Sequence, residues 1–236
     1  NKKIICGPNI LLDKPDIGIS DKWDEWYVNQ CRPDIHLDQV KFYSEHVKKF
    51  LSTEMKDKAM CLDKCINLDD TLYKPDTEKE YDCLIYSKKR RYDIKFEEFR
   101  DGLIGLLESN NISFCEVRAG KFGKYEREDY FNLLNKSKIM VNLSLDECPG
   151  ILNYESMFFN VPVVGSRKNV PINHSDLCYV EDVDVMTPQY LVRTESSELK
   201  YIEKIKQVLE NYDNIVNEES PRDFITKHTS YENYCD

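Results

Sequence analysis

The stretch Ile139–Ser166 constrains the fold more than any other. Ile139-Met-Val-Asn-Leu-Ser-Leu145 is apolar enough for an interior strand. Pro149-Gly150 is a turn signal, and Gly150 accepts backbone conformations that other residues resist. A helix of about ten residues fits Ile151 to Asn160, and Val161-Pro-Val-Val-Gly165 reads as the next short strand. A strand, tight loop, helix and second strand in this order form one repeat of a parallel α/β sheet.

The same alternation runs through the C-terminal two thirds. Strands are expected at Tyr81–Tyr86, Ile112–Val117 and Leu177–Val180. Helices are expected at Lys95–Glu108, Arg127–Asn135 and Glu198–Tyr212, with Pro221 opening a last helical stretch. Strands separated by helices of 10–15 residues imply a Rossmann-like, doubly wound parallel sheet. Ligands of such sheets lie beyond the carboxyl ends of the strands, where the loops 87–93, 118–125 and 146–150 fall.

Residues 1–76 read as a smaller α/β part, and 77–236 as the larger domain. The first part has a strand at Lys3–Cys6, a Gly7-Pro8-Asn9 turn, a strand at Val40–Tyr43 and a helix from Glu45 to Met55 capped by Ser44. A third strand is expected near Met60–Leu62. The chain starts with Asn rather than Met, which fits a piece of a longer protein.

Composition narrows the partners. A net charge of −10 argues against wholesale nucleic-acid binding. Nine cysteines, an odd number, several in expected buried strands such as Cys83 and Cys115, suit free thiols of a reducing, cytoplasmic compartment. Cys61 and Cys65 lack a second ligand pair for zinc. No apolar run reaches membrane-spanning length, and no signal peptide is visible. No metal site is expected: Asp182-Val-Asp184 is the nearest D-x-D match and comes too late in the chain.

Two carboxylates carry the functional reading. Glu147 lies in the loop and Glu155 in the helix, with seven residues between them. The helix start at Gly150 and Ile151 offers N–H groups and a partial positive charge to a diphosphate. Each carboxylate can accept hydrogen bonds from hydroxyls at one end of a nucleotide sugar. The bland alternative is two solvated charges.

This arrangement resembles the E-x7-E signature of GT-B glycosyltransferases of the retaining group-1 type, and Glu155-Ser-Met-Phe-Phe-Asn-Val-Pro-Val-Val is similar to that family's run after the second Glu. The resemblance implies transfer of a sugar from a nucleotide-diphospho-sugar to a glycan or other hydroxyl acceptor, with retention and without a metal or other cofactor. It implies Glu147 at the sugar hydroxyls, Glu155 at the ribose, and Ser144, Pro149, Gly150 and Ile151 lining the donor. Lys88 best matches the basic residue after the first donor-domain strand, where it would steady the leaving phosphate; Arg91 or Lys95 would be the second. The 118–125 loop would border the base, with Gly123 allowing close approach and Tyr125 either stacking on the base or covering the next helix.

On the acceptor side the resemblance points to Asn9 and His46. An acceptor domain in this family is usually much longer than 76 residues. Either its first half lies outside this chain or the protein is unusually compact. The other His residues, His36, His174 and His228, are placed in loops or near the end, and Cys148 has no neighbouring His to activate it. Two other readings share the fold: a catalytically inactive nucleotide-sugar-binding module, and a nucleotide-sugar epimerase.

Overall fold

The computed structural model describes residues 68–89, 93, 95–119, 125–144, 151–166, 173–181, 193, 196–218 and 220–227, and by backbone alone 5–6, 35–38, 59–61, 183–187, 190–192 and 228–229. The chain forms two compact units, residues 1–64 with 185–192, and residues 65–184 with 193–236.

In the first unit three short strands, β1 (Ile5–Cys6), β2 (Ile35–Asp38) and β3 (Ala59–Cys61), form a parallel sheet in the order β1-β2-β3. His36, expected in a loop, lies on β2. The expected strand at 40–43 and helix at 45–55 lie outside the described residues. Strands β8 (Val183–Thr187) and β9 (Tyr190–Arg193) pair as a two-stranded sheet.

The second unit is built on four parallel strands, β4 (Tyr81–Ser87), β5 (Phe114–Arg118), β6 (Ser137–Asn142) and β7 (Val163–Val164), in the order β5-β4-β6-β7. In β4, Cys83 through Ser87 are all buried. Successive strand residues point to opposite faces, so a fully buried run means that helices cover both.

On one face lie α1 (Phe96–Ser109) and α4 (Ser197–Glu210). Phe99, Leu103 and Leu107 meet Tyr201, Ile205 and Val208 over Cys83, Ile85, Ile139 and Val141. The four buried apolar side chains of α1 contribute roughly 1.5–3 kcal/mol each. That outweighs the penalty of about 1 kcal/mol carried by each of Gly102 and Gly105 in the same helix, so propensity does not break it.

The other face holds α2 (Arg127–Lys136) and α3 (Ile151–Phe158). Right-handed crossovers require this split, because β4 to β5 runs one way across the sheet and β5 to β6 to β7 runs the other. Tyr130 of α2 is wholly buried and its hydroxyl oxygen lies 3.3 Å from Met140 Sδ of β6. Phe131 stacks on Phe159 with centroids 5.1 Å apart. Asn160, at φ 58°, ends α3 in the left-handed conformation that Asn tolerates. Two short helices, α5 (Tyr212–Asn217) and α6 (Pro221–Thr229), complete the unit, with Pro221 at the first helical position where its missing N–H is harmless.

Three expectations change. The second unit begins before residue 76. The Asn135 amide donates to Leu72 O at 3.0 Å and accepts from Lys74 N at 2.9 Å, while Arg222 pairs with Asp70 at 2.7 Å. The strand expected at Leu177–Val180 is a 3-10 turn at Asp176–Cys178, followed by one bridge from Tyr179 to Gly165. The Ser175 side chain accepts from Leu177 N and caps that turn, diverting the backbone from a ladder. The helix expected at 198–212 ends at Glu210, and Tyr212 opens the next.

Candidate functional site

The direction of the crossovers reverses between β4 and β6, so the crevice of this sheet lies beyond Ser87 and Asn142. Asn142 organises it. Its side chain accepts from Ser144 N at 2.9 Å and donates to Asn153 Oδ1 of α3 at 2.8 Å. Its backbone oxygen accepts from the Tyr201 hydroxyl at 3.2 Å. All four residues are buried. The chain therefore leaves β6 on a fixed path, and the first turn of α3 is tied to the strand end.

Glu155 sits one turn into α3 and is 2% exposed. A buried carboxylate needs a cation or several donors. Arg127, the first residue of α2, supplies the cation: its Nε donates to Glu155 Oε1 at 3.1 Å and its Nη2 to the same oxygen. Just below, the Tyr130 hydroxyl donates to Leu152 O at 3.0 Å and joins the same two helices.

A second arginine–carboxylate pair, with both partners buried, stands beside the crevice. Arg193 donates to Asp93 Oδ2 at 2.9 Å and to Leu143 O at 2.6 Å, and its guanidinium lies 3.8 Å from the centroid of Phe99. Burial pushes the Asp93 carboxyl above its ordinary range, and Arg193 offsets only part of that push. The pair fastens the segment after β4 to the end of β6.

Ser144 lies two residues past the end of β6, and Ile151 and Glu155 stand on α3, whose first turn is tied to that strand end through Asn153. Ser144 is wholly buried, while Ile151 is 39% exposed at the start of α3. Lys88 follows β4 directly and is half-buried. Lys95 stands exposed at the N-cap of α1. The basic loop is partly balanced, since Lys89 and Arg118 both reach Glu97, at 3.9 and 3.6 Å. Tyr125 lies against Tyr130 with centroids 5.6 Å apart, the helix-covering arrangement of its two expected roles. Glu147, Cys148, Pro149, Gly150, Arg91, Gly123, Asn9, His46 and Asp182 lie outside the described residues.

Sequence reasoning missed Arg127, Asp93, Arg193, Asn142 and Asn153. Only Asn153, a polar residue in an apolar helix, carried a local signal. Among the described residues no group of three or more His, Cys, Asp and Glu stands ready to hold a metal ion. No described helix is long and apolar enough to cross a membrane.

No protein-family model matches the chain, and no curated protein does. Solved structures match over almost its whole length. TarM superposes with a TM-score of 0.60 at 14% identity, covering 89% of this chain and 44% of TarM. The pneumococcal O-GlcNAc transferase GtfA, solved with UDP and GlcNAc, gives 0.53 at 12% identity, covering 88% and 44%. Sucrose-phosphate synthase from Thermosynechococcus elongatus gives 0.52 at 13%, covering 85% and 55%. The chain spans about half the length of these proteins. Its alternating strands and helices, its parallel sheet and its likeness to these structures together give the chain the fold of the GT-B glycosyltransferases.

Proposed function

We propose that the chain is a glycosyltransferase that moves a sugar from a nucleotide-diphospho-sugar to a glycan or other hydroxyl acceptor. The observation that carries this reading is the buried Glu155 on the helix that opens at the crevice of the sheet, within a GT-B fold. The second unit, residues 65–184 with 193–236, binds the donor, and the first forms part of the acceptor side.

In this reading Glu155 accepts from the ribose hydroxyls and Glu147 from the sugar. On the same reading Gly150 and Ile151, where α3 begins, offer backbone N–H groups to the diphosphate. Departure of the nucleoside diphosphate builds negative charge on the leaving oxygen. In this reading Lys88, directly after β4, stabilises that charge and lowers the barrier without a metal. Transfer proceeds with retention, in the cytoplasm.

Thermal unfolding against UDP-, GDP-, ADP- and CMP-linked sugars tests the proposal. A specific donor at about 100 times its Kd adds about 2.7 kcal/mol of stability. The expected result is a shift with one nucleotide class, lost in Glu155→Gln. A folded protein that shifts with none of them overturns the reading.

A further inference from the structure

We propose that Arg127 is a positioning residue for the donor's ribose, setting the orientation in which Glu155 meets the vicinal diol; this rests on the reading of Glu155 as the ribose carboxylate.

The two partners are unequal. The Glu155 side chain is 3% exposed and the Arg127 side chain 59%. So exposed a guanidinium is well solvated and has no need of a carboxylate. The buried carboxylate does need a cation. Ribose hydroxyls bring no charge, so a bound nucleotide cannot replace Arg127, and the pair persists in the complex. Both guanidinium contacts fall on one oxygen, Oε1. That grip orients the carboxylate as well as balancing it.

Arg127 is itself held. Its guanidinium lies 5.2 Å from the centroid of Phe131, which stacks on Phe159 beyond the end of α3. The Tyr130–Leu152 hydrogen bond fixes the two helices at the level of the pair. Arg127 also directly follows the loop that leaves β5 at the crevice side of the sheet. A ribose on Glu155 therefore lies beside the arginine, and the diol is read by a carboxylate whose aim a second helix sets.

The test compares the Kd of UDP, GDP and ADP with those of their 2′-deoxy counterparts, by calorimetry. Hydrogen bonds to a charged group are worth enough that the wild type should prefer the ribonucleotide by about tenfold or more. The ratio matters more than either Kd, because a merely structural loss weakens both ligands alike. Arg127→Gln is expected to bring the ratio to within about twofold of one. Arg127→Lys keeps the charge but loses the two-point grip, and should recover part of the ratio; it also serves if the Gln variant fails to fold. Glu155→Gln should erase the ratio, and the double variant should do no more. If Glu155→Gln erases the ratio while Arg127→Gln and Arg127→Lys preserve it, the positioning role is overturned and the ribose role of Glu155 stands. A ratio that survives Glu155→Gln overturns the ribose reading and this inference with it.

Discussion

Two arginine–carboxylate pairs stand near the same edge of one sheet and are built in opposite ways. Asp93 and Arg193 are both sealed, with side chains 3% and 6% exposed. Glu155 is equally sealed, but its partner Arg127 is more than half in water. A pair with both charges buried pays two desolvation penalties and recovers them only through good geometry. The raised Asp93 carboxyl indicates that recovery here is incomplete. Such a pair is suited to fastening chain segments. A pair with one solvated member incurs one penalty and keeps a charged group at the surface, where a ligand can meet it.

The largest expected effect tests that difference directly. Arg193→Met strands a buried carboxylate and should destabilise the protein by about 3–5 kcal/mol at neutral pH. Arg127→Met also uncovers a buried carboxylate, but should cost only about 1–2 kcal/mol, because the space left by a guanidinium more than half in water opens Glu155 to hydration. Denaturant unfolding of the two variants measures both. Equal losses would break the comparison. The Arg193→Met loss should also shrink on acidification: Asp93 then binds its proton more readily folded than unfolded, and a neutral carboxyl needs no cation.

His174 sharpens the comparison as a partly buried ionisable group shifted by desolvation alone. Burial pushes it down to about 4. Its ordinary value is 6.5, so the unfolded chain takes up the proton first as pH falls. The stability held above pH 6.5 should drain away below it, by about 2 kcal/mol at pH 5. His174→Phe should flatten that slope. An unchanged slope between pH 6.5 and 5 would assign it to other groups.

Tyr130→Phe gives the smallest effect. It removes the donor to Leu152 O and should cost about 1 kcal/mol. The ratio between ribonucleotide and 2′-deoxynucleotide affinity should barely move. A ratio lost as fully as in Arg127→Gln would mean that helix spacing, rather than the guanidinium, aims Glu155.

Much of the second unit was legible in the residues. The apolar period of Phe96, Phe99, Leu103 and Leu107 placed α1 within a residue at each end. The run after Tyr81 placed β4, and Pro221 marked the start of α6. The Leu177–Val180 strand misled because a short apolar run carries no period of its own, and the Ser175 cap decided the outcome. Glu155 stood out through its spacing from Glu147 and the Val-Pro-Val-Val that follows. Arg127 did not, since an arginine in the first turn of a helix looks like any solvated charge.

The order of elements, the two-sided burial of β4 and the placement of a carboxylate one turn into α3 follow from the sequence, because period and turn chemistry act over a few residues. Which charges meet was decided by tertiary structure alone. Arg127 reaches Glu155 across 28 positions and Arg193 reaches Asp93 across 100. Such pairs form only after the crossovers have laid α2 beside α3 and brought Arg193 to the end of β6. No local pattern encodes them, since the desolvation that makes each partner necessary exists only once the sheet is covered on both faces.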